Sequence, residues 1–421
     1  MYDVVIVGAR VAGAATARLL AEQGVKVLVV DRVMFPSETI SSHQVQLPGG
    51  AMLRRWGMLD RLTAAGTPPT RTIRFDPGSA VLQGRFQTYD GVDALYSPRR
   101  TVLDPLLIDA ARTVGAEVRE GFHVEEIVAR NGRVEGIRGR HRSGGPLITE
   151  LARLVVGADG KRSFVASAVR AKTTRESPAS TVAYYAYWEG LTVAGGEIYE
   201  RPRRSVGVWP TNNGLVVTFL SAPAADAAVF RTDALGSALD TFDRMGDLGE
   251  RVRAGRLVGR FVGTTDVPNF VRKPYGPGWA LVGDAGLTMD PITGQGISQG
   301  LLDADLLATA IVEGLGGTRP IDVGLHAYER ARNRRAIPIF KFTTLLARHD
   351  PQPYEQAVLF RALERQPDEV SRLLSVFAGV TTFNAYTSPA NMLRILGWRA
   401  LVDILVTKLG LRQPRLAESQ S

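Results

Sequence analysis

Three glycine-rich stretches have residue types suited to holding phosphate: GARVAG at 8–13, ADG at 158–160, and the run from Asp284 to Gly296 within WALVGDAGLTMDPITGQGISQ. In the first, Gly8 allows a tight turn after a strand, and Gly13 lets the following helix pack close to that strand. The N–H groups at the start of such a helix face a pyrophosphate, and the helix dipole favours its negative charge. Ala9 stands where the middle glycine of the pattern would be; its single methyl group leaves room for a pyrophosphate after a small backbone shift. A second, largely apolar run, Val25–Val30, ends in Asp31, where a carboxylate that bonds a ribose hydroxyl belongs. The spacing predicts a βαβ nucleotide-binding unit.

The elements around these loops follow from hydrophobic period. Val4–Val7 is an unbroken apolar run, as expected of a parallel strand buried on both faces. Residues 48–65 read as one helix, 71–96 as short strands with turns at Asp76-Pro77-Gly78 and Asp90-Gly91, and 101–114 as a helix. Two strands flank the Asn131-Gly132 turn within 118–138. The stretch 180–221 is strand-rich: TVAYYAYWEG, RSVGVWP and GLVVTFLSA, the last two joined by Asn212-Asn213-Gly214. ALVGD reads as a buried strand leading into a glycine-rich turn and a long helix, and the chain is mostly helical from about Ile337.

Composition bounds the function. A chain of 421 residues, 45% hydrophobic and 22% charged, has the make-up of a globular protein with more than one domain. The absence of cysteine removes disulfides, thiolate metal sites, dithiol redox chemistry and cysteinyl attachment of a cofactor. The five histidines, at 43, 123, 141, 326 and 349, lack metal-ligand spacing, so no metal is expected. The net charge of +9 comes from basic residues spread along the chain, only six of the 51 being lysine, and nucleic acid is not the expected partner. The sequence opens directly on the strand MYDVVIV, so no leader peptide and a cytoplasmic location are expected. The apolar stretch 391–411 is interrupted by Arg394, Arg399, Asp403 and Lys408, so no stable membrane insertion is expected; it reads as a packed or lid helix, with a membrane-surface or dimer contact as the alternative.

With these three motifs in this order, residues 1 to about 345 resemble the FAD-dependent monooxygenase superfamily with the para-hydroxybenzoate hydroxylase type of fold, which includes geranylgeranyl reductases and flavin halogenases. The resemblance implies an α/β fold: a Rossmann-like FAD-binding domain (1–75, 97–170 and 274–345), an inserted mixed β-sheet substrate domain (76–96 and 171–273), and a C-terminal helical region (346–421). It implies non-covalent FAD. Gly8, Ala12, Gly13, Asp31 and Arg32 would hold the ADP half, together with Val124, while Asp159 and Gly160 would support the pyrophosphate region. Arg100, in SPRRTVLDPLL, matches the family arginine that reaches the phosphates or ribityl chain. Asp284 would bond the ribityl or pyrophosphate; Pro291, Gly294, Gln295 and Gly296 would lie against the flavin ring, where a helix start stabilises negative charge on the reduced ring.

Several chemistries use such a cofactor. The resemblance implies a hydroxylase or epoxidase in which NADPH or NADH reduces the flavin and a C4a-hydroperoxide delivers oxygen to a small substrate, aromatic or polyketide- or isoprenoid-like. The reductant either binds directly or acts through a partner flavin reductase. The alternative is a reductase of isoprenoid double bonds, because Gly286-Leu287 replaces the usual alanine-histidine after Gly-Asp. A halogenase is disfavoured by the lack of any lysine between Lys26 and Lys161, and a non-enzymatic flavoprotein is the remaining class. Alternation in TVAYYAYWEG puts Tyr185 and Tyr187 on one face and Tyr184 and Trp188 on the other. Tyr185, Tyr187 and Trp209 are the candidate substrate residues, and His43, in ISSHQVQ, is the candidate catalytic residue beside the ring. Oligomeric state is not legible.

Overall fold

The computed structural model describes residues 1–411. Its first sheet has five adjacent parallel strands, in the order Trp279–Leu281, Ile148–Gly157, Tyr2–Val7, Val27–Val30 and Glu117–Arg119. Val4, Val5 and Ile6 are fully buried because the sheet is covered on both faces. Helices Val11–Glu22, Arg100–Thr113 and Gly296–Leu315 close one face over a core that includes Val4, Ile6, Leu103, Leu107 and Leu301. The hairpin Phe122–Arg130 and Arg133–His141 contributes to the core on the other face, with Val5, Val7 and Val30. Its turn residues Asn131 and Gly132 both have positive φ, as a tight hairpin requires.

The second sheet has seven strands, in the order Arg256–Thr264, Thr181–Glu189, Val216–Pro223, Arg204–Pro210, Gly196–Arg201, Thr72–Asp76 and Leu82–Arg85. It is mixed, since Gly196–Arg201 and Thr72–Asp76 pair in parallel while its other pairs are antiparallel. One face packs on the short helices between 227 and 254. Helices Tyr354–Leu363 and Pro367–Phe377 and the first part of Pro389–Lys408 cover the opposite face. At Gly84 the approach is so close that a Cβ would lie 2.8 Å from Val370 Cγ1. The C-terminal region is therefore a packed cover as far as the break at Gly397, beyond which Trp398, Val402 and Leu405 are exposed; residues 412–421 of the expected region lie outside the described residues.

Several boundaries differ from the periodic reading. The helix expected over 48–65 is two helices, Leu47–Arg55 and Leu59–Ala64, because the chain turns at Gly57 with φ of +67°. Glu117–Arg119 belongs to the parallel sheet rather than to the hairpin that follows. The strand Thr72–Asp76 lies in the second sheet, so the crossing between sheets begins before residue 76. Among the described residues no helix is long and apolar enough to cross a membrane.

Candidate functional site

The three glycine-rich motifs meet at the C-terminal ends of the parallel strands. Gly8 N–H donates to the Val30 carbonyl at 2.8 Å, and Ala158 N–H to the Val7 carbonyl at 2.8 Å. A Cβ on Gly8, whose φ is +106°, would lie 2.4 Å from the Ala158 carbonyl oxygen, and one on Gly13 would lie 1.8 Å from the Gly8 carbonyl oxygen. Close backbone approach thus dictates glycine at both positions. Gly283 and Gly300, on either side of the third motif, come against Ala12.

Asp31 ties down the loop: one carboxylate oxygen accepts from Ala9 N–H at 2.8 Å and the other from Val33 N–H at 3.0 Å. The N–H of Ala9, the residue that departs from the glycine pattern, is therefore held by the acid at the end of the next strand. Arg32 beside it is exposed. Asp159 turns inward, accepting from Ser163 Oγ at 2.5 Å and Val165 N–H at 3.1 Å, and fixes the helix start that follows it. Gly160, with φ of +81°, completes that turn. Val124 is buried in the core behind the strands, with Val7 and Val30.

Arg10 and Arg100 converge on Asp104, which the sequence reading did not single out. Asp104 is fully buried; it accepts from Arg10 Nη1 and from Arg100 Nε and Nη2 at 3.0 and 2.8 Å. Two guanidinium groups against one carboxylate leave a positive charge at the mouth of the glycine loop. The available signal was the Arg100–Asp104 spacing of four, which places both on one helix face.

Asp284 is open to solvent although Gly283 and Ala285 beside it are buried. Gly296, at the first position of the long helix, is exposed between buried Gln295 and Ile297, and a Cβ there would meet only Asp284 Oδ1, at 3.9 Å. These two positions face a cleft rather than the outer surface. Burial within it pushes the Asp284 carboxyl above the ordinary range, with Arg100 and Lys161 opposing; access to water moderates that shift. Gly294 is left-handed, with φ of +61°, and a Cβ there would strike Gln44 at 2.8 Å. Asp290 opens the turn Pro291–Thr293 by accepting from Ile292 N–H at 3.0 Å. Gln295 donates to the Phe377 carbonyl at 2.9 Å, joining the turn to the C-terminal cover.

The segment 41–46 crosses from this turn to the second sheet. Gln46 N–H donates to Ser298 Oγ at 2.8 Å. His43 is fully buried with φ of +63°, and its Nε2 shares a 2.7 Å hydrogen bond with the Tyr187 hydroxyl. Its ring meets those of Tyr185 and Tyr187 edge-on, with centroids 4.9 and 5.5 Å away. Arg99 lies over the Tyr187 ring at 4.6 Å and pairs with Glu38. His43 Nδ1 and the Oε1 atoms of Gln44 and Gln295 are buried without partners. Buried polar atoms are normally satisfied, so these three fit a site that is completed by a bound molecule. Tyr185, Tyr187 and Trp209 share the face covered by the C-terminal helices, whereas Tyr184 and Trp188 pack on the other side.

Burial holds the His43 ring down at about 3, with Arg100 and Arg99 pushing the same way, so it is neutral near pH 7. Its ordinary value is 6.5; below that pH the unfolded chain takes up a proton that the folded ring refuses. The resulting stability is complete above pH 6.5 and declines as pH falls toward 3. Lowering the pH from 6.5 to 5 is expected to cost about 2 kcal/mol through His43 alone. Denaturation midpoints measured at both pH values check this: His43→Gln should lose less stability than the parent protein by about that amount, and equal losses would exclude it.

The sequence pattern of the FAD binding domain family matches residues 1–343. The chain belongs to this family. As a member of the FAD binding domain family it is an oxidoreductase-type flavoprotein, and Gly8, Gly13, Asp284 and the Gly294–Gly296 turn lie within the matched residues. A digeranylgeranylglycerophospholipid reductase of Methanothrix thermoacetophila is 28% identical over 350 residues, covering 78% of this chain and 82% of the relative. A rifampicin monooxygenase of Rhodococcus hoagii is 28% identical over 358 residues, covering 82% and 70%. The solved structure of the myxobacterial chondrochloren halogenase CndH superimposes with a TM-score of 0.76 at 21% identity, covering 97% of each chain. That likeness concerns the fold, and it extends through the C-terminal cover.

Proposed function

We propose that the protein is an FAD-dependent monooxygenase that hydroxylates or epoxidises a small organic substrate, aromatic or polyketide- or isoprenoid-like, with NADPH or NADH as reductant. The observation that carries this reading is the covered aromatic wall formed by Tyr185, Tyr187 and Trp209 with His43, adjoining the Gly294–Gly296 turn. Bound FAD supplies the two-electron chemistry and the activation of O2. The chain's residues bind, orient and exclude water. The start of helix Gly296–Leu315 favours negative charge through its free N–H groups and dipole. The aromatic faces take an apolar substrate, and the helices over them keep bulk water out. Tyr187 and the neutral His43 fix one proton between Oη and Nε2, while His43 Nδ1 remains for a polar group of the substrate or cofactor.

The reductase relative favours a second reading, saturation of an isoprenoid double bond. Gly286-Leu287, which leans toward that group in sequence, has a packing reason in this fold. A Cβ on Gly286 would lie 2.9 Å from Nη1 of the fully buried Arg332, and Leu287 packs with Val271, Ala336 and Phe340. The departure from alanine-histidine is thus accounted for without invoking reductase chemistry.

Isotope labelling separates the readings. With phenols, polyketide quinones and isoprenoid alkenes offered alongside NADPH or NADH, labelled O2 is expected to place one labelled oxygen atom in the product, with turnover ceasing anaerobically. Anaerobic formation of a product with two added hydrogens would overturn the oxygenase reading in favour of the reductase.

A further inference from the structure

The helix Pro389–Lys408 is broken at Gly397, where φ of 70° and ψ of 165° leave helical geometry. Before the break the chain is anchored, with Ile395 buried beneath the second sheet and Met392 and Leu396 packed alongside it. After the break, Trp398, Val402, Leu405 and Leu409 recur at i, i+4, i+7 and i+11, a spacing that shares one helical face. They are 65, 50, 57 and 64% exposed. Other side chains of this segment are engaged with the body: Asp403 accepts from the Tyr354 hydroxyl at 2.7 Å, and Lys408 pairs with Glu355 at 2.7 Å. The tethered helix therefore presents its apolar stripe outward.

We infer that this stripe docks reversibly on the surface of an anionic lipid bilayer, the helix lying in the plane of the interface. Charge and shape favour this occupant. Arg399, exposed beside the stripe, has its guanidinium over the Trp398 ring at 5.4 Å, whereas Arg394 and Lys408 on the same helix are paired with Glu369 and Glu355. In sequence, Arg412 and Arg415 follow directly, and the chain as a whole carries +9. A tryptophan beside cations on a short amphipathic helix suits the headgroup boundary, where an indole lies half in apolar surroundings and anionic lipids attract the charges. A second copy of the chain fits less well: the four side chains offer roughly half of the ~800 Å² per partner typical of a stable interface. Self-pairing would also bring the Arg399 groups of two +9 chains together. This inference does not depend on the reaction proposed above.

The test uses the full chain loaded with FAD and vesicles of phosphatidylcholine alone or with about a third phosphatidylglycerol. The protein is expected to co-sediment with the anionic vesicles, weakly or not at all with the neutral ones, and less at high salt. The double variant Trp398→Glu/Val402→Glu should lower binding roughly tenfold or more while FAD content and circular dichroism stay unchanged. Should that variant fail to fold, Arg399→Gln, altered only at an exposed side chain, is expected to weaken the anionic component alone. Failure of the unmodified protein to bind anionic vesicles overturns the inference, as does binding that is indifferent to all of these substitutions. Light scattering that shows a dimer abolished by the double variant, without vesicle binding, would assign the stripe to a subunit contact.

Discussion

Gly13→Val is expected to give a colourless protein. The φ of Gly13 is ordinary for a helix, so the obstacle is space: its Cβ would lie 1.8 Å from the Gly8 carbonyl oxygen and 3.1 Å from the Ala158 Cβ. Both neighbours are held, Gly8 by the Val30 carbonyl and Ala158 by the Val7 carbonyl, so the helix itself must move away from the strand. Overpacking of this kind costs about 3 kcal/mol. Directed at the loop proposed to hold the pyrophosphate, that cost corresponds to roughly a hundredfold weaker FAD binding. Gel filtration followed by flavin absorbance of the eluted protein measures retention, and the apo-protein's thermal midpoint measures the strain. A variant that elutes with full FAD occupancy would mean that the helix start does not hold the cofactor.

The second large effect is expected at Asp104. Its carboxylate is fully buried between Arg10 and Arg100, and Asp104→Ala would leave two guanidinium groups facing each other. Removing one partner of a buried ion pair typically costs roughly 3–5 kcal/mol, because the remaining charge stays desolvated and unpaired. Asp104→Asn keeps the shape and part of the hydrogen bonding, so its loss should be smaller. Denaturant titration of the FAD-free proteins orders the three. If Asp104→Ala is as stable as the parent, the arginines have water or other partners, and the charge assigned to the mouth of the loop is wrong.

The nucleotide-binding elements were legible in the linear sequence because each rests on local chemistry. A buried parallel strand needs an unbroken apolar run, a tight strand-to-helix turn needs glycine, and an acid closes the next strand; Val4–Val7, Gly8, Gly13 and Asp31 meet these demands within one βαβ unit. Alternation in the strand Thr181–Glu189 likewise separated Tyr185 and Tyr187 from Tyr184 and Trp188, since side chains on a strand must point to opposite faces. Which face meets the C-terminal cover depends on contacts between residues far apart in the chain, and alternation cannot choose between the two. The same limit applies to His43, whose partner Tyr187 is 144 residues away, and to Asp104, whose second arginine, Arg10, is 94 residues away. The split of residues 47–64 into two helices turned on the left-handed turn at Gly57. Local period and turn chemistry determined the cofactor-binding unit. Only tertiary packing decided the aromatic wall proposed to meet the substrate, its helical cover and the pairing of the charges around it, because burial and ion pairing are set by whichever distant residues the folded chain brings together.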